Sequence, residues 1–135
     1  MPDGLRLVFF RPALGLFFIN GFLLRVIYMS NIIKATSAEH CKEQMKSGIV
    51  ILDFYADWCG PCKILSPVLD QISEEYLDKV RVIKVDVDND ELKPLVTAHR
   101  VRGIPTLVFL KDGEVVSTVN GITSKQNIID KFENL

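Results

Sequence analysis

Cysteine is scarce in this chain of 135 residues, which holds only three. Three thiols cannot build the dense disulfide framework that staples small secreted domains. An excess of one charge is missing too, since 16 Lys and Arg stand against 17 Asp and Glu, a formal net charge of −1. A nucleic acid or anionic membrane held by electrostatics needs a basic stripe, and the basic residues are instead scattered among acids. Cys59 and Cys62 could supply half of a zinc site. The remaining candidates, His40, Cys41 and His99, do not form a second ligand pair at zinc spacing, so no metal is expected. Internal repeats and low-complexity tracts are absent. The length suits one domain with a workable core.

A long uncharged apolar run is also lacking, although residues 1–28 raise the question. They contain five of the eight Phe, three Arg, no Lys and no Glu, whereas residues 29–135 contain ten Lys and three Arg. The longest uncharged run, Pro12 to Leu24, has 13 residues and includes Pro12, Gly15, Asn20 and Gly21. A membrane span wants about 20 apolar residues, although Arg11 and Arg25 could lengthen this one by snorkelling. A secretory signal would need a small-x-small cleavage site before Met29, and none is present. Three readings stay open: translation that begins at Met29, a membrane anchor over residues 7–28, or a cleaved signal. Membrane contact is expected only through this segment, and the fold is read from residue 29 onward.

Along residues 29–135 the apolar pattern changes period several times. Asn31–Ala35 reads as a strand. Thr36 and Glu39 fit a capping box opening a helix that runs to about Ser47 and stops at Gly48. Ile49–Tyr55 is a continuous apolar run, as a strand buried on both faces requires. A helix follows from near Cys59, with Pro61 in its first turn and Pro67 placed to kink it. Val80–Val87 is a further strand, and Asp88–Arg100 reads as helical with Pro94 as an obstacle. Thr106–Leu110 and Glu114–Val119 form a hairpin about Lys111-Asp112-Gly113. Thr123 opens a last helix whose apolar face is Ile128, Ile129, Phe132 and Leu135. The order β-α-β-α-β-α-β-β-α predicts an α/β fold, a central mixed sheet of about five strands flanked by about four helices.

Chemistry concentrates at "ADWCGPCKILSPVLD". Residues at i and i+3 share a helix face, which brings the sulfurs of Cys59 and Cys62 close enough to bridge. At a helix start, free N–H groups and the helix dipole favour a thiolate on Cys59. Cys62 lies one turn in, where burial keeps it protonated until a base removes its proton. Asp53 interrupts an apolar strand that has no other use for a charge, and desolvation should make it a proton acceptor. Lys84, in the next strand, could neighbour it. Cys41 reads as a thiol on a helix face and His99 as a partner for solvent or a helix end.

"DFYADWCGPCKILSPVLD", with "VIKVDVD", "VRGIPTLVFLKDGEVV" and "NGITSK" downstream, resembles the thioredoxin family along essentially all of residues 29–135. The resemblance implies the thioredoxin fold and a protein-disulfide reductase. Cys59 would be the attacking nucleophile, Cys62 the resolving thiol and Cys59–Cys62 the redox disulfide. Asp53 would be the general base and Lys84 its partner. Pro105 would be a cis proline facing the disulfide. Trp58, Gly60, Pro61, Ile104, Pro105, Gly121 and Ile122 would form the surface that docks disulfide-containing proteins. Gly60-Pro61 between the cysteines implies an electron donor. No bound cofactor is implied; a thioredoxin reductase fed by NADPH would restore the dithiol of a monomeric, cytoplasmic protein. Two alternatives are a membrane-tethered oxidoreductase acting outside the cytoplasm and a binding scaffold without redox turnover.

Overall fold

The computed structural model describes residues 31–135 and, before them, the backbone of two strands, β1 (Leu16–Ile19) and β2 (Phe22–Arg25). These two pair antiparallel, Ile19 opposite Phe22, where no strand was expected. The rest of residues 1–30 lies outside the described residues, and with it the choice among late start, anchor and signal. Among the described residues no helix is long and apolar enough to cross a membrane.

From residue 31 the element order is the one that the pattern predicts: β3 (Ile32–Lys34), α1 (Ala38–Met45), β4 (Ile49–Tyr55), α2 (Gly60–Glu75), β5 (Val80–Asp86), α3 (Lys93–Ala98), β6 (Thr106–Lys111), β7 (Glu114–Asn120) and α4 (Lys125–Glu133). The sheet runs β3-β5-β4-β6-β7. β3 and β4 flank β5 in parallel, and the later strands pair antiparallel. Helical crossovers account for the parallel half and the tight hairpin for the antiparallel half. The hairpin turn is Asp112-Gly113, with φ of 49° and 86°, the left-handed pair that a two-residue turn demands. Lys111 belongs to β6 rather than to the turn. The Asp112 carboxylate accepts from Gly48 N at 2.8 Å, and Asp112 N donates to Gly48 O at 2.9 Å, so the turn is pinned to the end of α1.

Alternate residues of β4 serve two cores. Val50, Leu52 and Phe54 face α1 and α3, with Ile83, Val85, Leu92, Leu95 and Val108 around them. Ile51 faces α2 and α4, with Leu65, Leu69, Ile72, Phe109, Ile128, Ile129 and Phe132. Burial on both faces explains why the strand reads as a continuous apolar run instead of an alternating one.

Several local expectations shift. Ser37, not Thr36, caps α1, accepting from His40 N at 3.1 Å, and this removes the capping-box spacing to Glu39. Ser124, not Thr123, caps α4, while Thr123 accepts instead from the Asn127 side chain. Asp88–Arg100 is not one helix: a 3-10 turn, Asp90–Leu92, leads into α3. Pro94 falls in the first turn of α3, where its missing N–H costs nothing. Pro67 lies inside α2, which continues past it to Glu75.

Candidate active site

The chain turns into α2 at the residue that carries the chemistry. Cys59 is the N-cap, extended at φ −83° and ψ 109°, and its sulfur accepts from Cys62 N at 3.2 Å. A cap must leave the helical conformation so that its side chain can reach back to an orphan N–H. Gly60 and Pro61 occupy the first turn, and Pro61 gives up an N–H that would have had no partner there. Cys59 and Cys62 form a disulfide with Cα atoms 5.3 Å apart. In this state exposure does not separate them, because Cys59 is 4% and Cys62 6% exposed. Position separates them: Cys59 stands at the helix tip, where the free N–H groups and dipole favour a negative sulfur. The pair packs with Tyr55 and Ala56 beneath Val87 and Ile104.

Asp53 lies in β4 on the face that looks toward α2, in register with Lys84 of β5. It is 3% exposed. Burial pushes its carboxyl up to about 6, against the downward pull of the Lys84 ammonium and with a smaller upward push from Asp70. Lys84 does not pair with it directly among the described ion pairs. Its ammonium donates to Ser66 Oγ on α2 at 2.8 Å and stands 4.9 Å from the centroid of the Tyr55 ring.

The peptide bond between Ile104 and Pro105 is cis. Pro105 O accepts from Gly121 N at 2.8 Å, and the Thr106 hydroxyl donates to Gly103 O at 2.7 Å. The second contact of that hydroxyl is the Asn120 side chain, at 3.2 Å. These bonds tie the loop before β6 to the end of β7, and so they join Ile104 and Pro105 to Gly121 and Ile122. Gly121 has φ of 82°, a conformation that glycine adopts without the penalty of a Cβ. Trp58 is 70% exposed and Ile122 55%, with Gly60 and Pro61 also open to solvent.

Sequence reasoning missed two residues. Asp88 accepts from the Trp58 indole Nε1 at 2.7 Å, across 30 residues of sequence that leave no local signal. Ser66 does carry one: it follows Cys62 by four residues, one helical turn along the same face. Two others keep the places expected of them, Cys41 on the apolar face of α1 and His99 at the end of α3. Cys41 is fully buried against Met45 in the core, and burial alone pushes its thiol up to about 11. His99 is half-buried with its ring 5.8 Å from Phe54, and burial lowers its pKa.

Comparison with known proteins agrees with this geometry. Residues 31–134 match the thioredoxin family model. Thioredoxin of Bacillus subtilis is 43% identical over 95 residues, which cover 70% of this chain and 88% of the relative. Thioredoxin 1 of Synechococcus elongatus is 41% identical over 106 residues, covering 78% of this chain and 97% of the relative. A solved mutant thioredoxin from Halobacterium salinarum superposes with a TM-score of 0.69 at 36% identity, covering 76% of this chain and 88% of that one.

Proposed function

Given that the chain belongs to the thioredoxin family and is a dithiol-disulfide oxidoreductase, we propose that it works as a general reductant of protein disulfides. The observation that carries this reading is the placement of Cys59 as the cap of α2 with Cys62 one turn behind it, on the helix that covers Asp53. The Cys59 thiolate attacks one sulfur of a substrate disulfide, and the other substrate sulfur leaves as a thiol after taking a proton. Cys62 then gives its proton to Asp53, directly or across a water, and its thiolate attacks Cys59 Sγ. That breaks the mixed disulfide, releases the second substrate thiol and leaves the Cys59–Cys62 disulfide. Two electrons have passed to the substrate. Asp53 suits this service because a carboxyl at about 6 is largely ionised at neutral pH yet still basic enough to hold a proton briefly.

Trp58, Gly60, Pro61, Ile104, Pro105, Gly121 and Ile122 dock the substrate, and the backbone beside Pro105 pairs with an extended substrate segment. The family works without a bound cofactor, on disulfide substrates and with reductase partners. For this chain we assign the electrons to NADPH through a thioredoxin reductase. A donor that must stay reduced fits the cytoplasm, where thiols are kept reduced. The family relatives do not favour the scaffold or membrane-tethered alternatives, and the second depends on residues 1–28, which apart from β1 and β2 lie outside the described residues.

The test is insulin reduction by dithiothreitol with catalytic protein. Wild type accelerates it, Cys59→Ser abolishes the acceleration, and Cys62→Ser accumulates a covalent adduct through Cys59. Acceleration that survives Cys59→Ser overturns the reading.

A further inference from the structure

Lys84 has two ways to use its charge, and the structure shows it using the less obvious one. On the sheet it is the register partner of Asp53, with both side chains on the α2 face. Its ammonium nevertheless donates to Ser66 Oγ on α2 at 2.8 Å, beside the Tyr55 ring, and makes no direct ion pair among the described residues. We propose that Ser66 is a positioning residue whose hydroxyl holds the Lys84 ammonium out of contact with Asp53. The catalytic consequence rests on Asp53 being the base for Cys62.

The physical reason is competition. An ammonium in a half-buried slot seeks acceptors, and a full ion pair with a buried carboxylate is the strongest one in reach. Closing that pair when Asp53 ionises means abandoning Ser66. The hydroxyl therefore penalises contact with the ionised form and leaves Asp53 a stronger base than a contacting lysine would allow. The other groups facing Asp53 do not substitute for this restraint. Asp70 favours the neutral carboxyl; Leu107 of β6 is its register partner on the other side and is apolar, and Ile128, Ile129 and Phe132 of α4 belong to the apolar core on the same face of the sheet.

The experiment follows the Asp53 side-chain carboxyl carbon by NMR through a pH titration of the oxidised protein. Ser66→Ala is expected to lower the midpoint by about one pH unit, approaching the effect of an opposite charge in contact. Ser66→Thr, which keeps the hydroxyl, should restore the wild-type midpoint. In a Lys84→Met background, Ser66→Ala should move nothing. An unchanged or raised midpoint in Ser66→Ala overturns the proposal, as does a lowered midpoint that persists without Lys84. This titration reads the coupling whether or not Asp53 serves as base. That service is tested apart from it, by the pH dependence of resolution in Asp53→Asn, so the two failures are distinguishable.

Discussion

The indole of Trp58 donates to the Asp88 carboxylate over 2.7 Å, tying the residue before the first active cysteine to the loop that follows β5. The ring itself stays open to solvent, so this bond orients it without burying it. Removing the acceptor by Asp88→Ala should let the ring swing. A hydrogen bond to a charged group contributes on the order of 1.5 kcal/mol, less where water competes. The expected result is a rise of about threefold in KM for insulin, with little change in Tm. Trp58 is the only tryptophan, so its fluorescence anisotropy reports the loosening directly. Unchanged anisotropy in Asp88→Ala would deny the bond an orienting role.

The three thiols should react in a fixed order. In the reduced protein at pH 7, iodoacetamide is expected to label Cys59 first, because the helix tip favours its thiolate. Cys41 is buried and pushed up to about 11, so it should stay unlabelled until denaturant is added. Peptide mass mapping against time reads the order. Early labelling of Cys41 contradicts its burial in the core.

Asp53 should weaken the fold as pH rises. Its folded-state value, about 6, lies above the unfolded value near 4, so the native state binds more protons between the two. Stability from this group is fully present below about pH 4 and is lost as pH climbs through about 6. Two units correspond to about 3 kcal/mol as an order of magnitude. Asp53→Asn should therefore gain on wild type across that window and hold a constant advantage above pH 7. Urea denaturation of both oxidised proteins from pH 4 to 8 measures this. A difference that stays flat across the window rules out the raised carboxyl.

Phe132 is fully buried in α4 and meets the Tyr76 ring edge-on at 5.0 Å. Phe132→Ala removes the anchor of α4 to the α2 side of the sheet and should cost about 3–5 kcal/mol. Chemical denaturation gives the number, and a loss below about 1 kcal/mol would mean that α4 packs loosely.

Much of the architecture is legible from short-range patterns. The unbroken apolar run Ile49–Tyr55 marks a central strand, and Asp112-Gly113 marks a hairpin, because each reflects conditions met within a few residues. The misplaced caps show the limit of the same signals. Thr36 and Ser37, like Thr123 and Ser124, are adjacent hydroxyl residues of equal chemistry, and only the backbone decides which one turns inward. Pro94 misled for a related reason: a proline that breaks a helix interior starts one comfortably.

The sequence by itself determined the redox pair, its place at a helix start and the carboxylate set into an apolar strand, since these depend on spacing and on residue chemistry. Only the tertiary structure decided that Lys84 reaches Ser66 instead of Asp53, that Asp88 receives the Trp58 indole, and that the loop of Ile104 and Pro105 is bonded to Gly121 and Asn120. These partners are separated by 14 to 30 residues. Which of several acceptors a polar group meets at such range depends on how helices and strands stack, and no local periodicity encodes it.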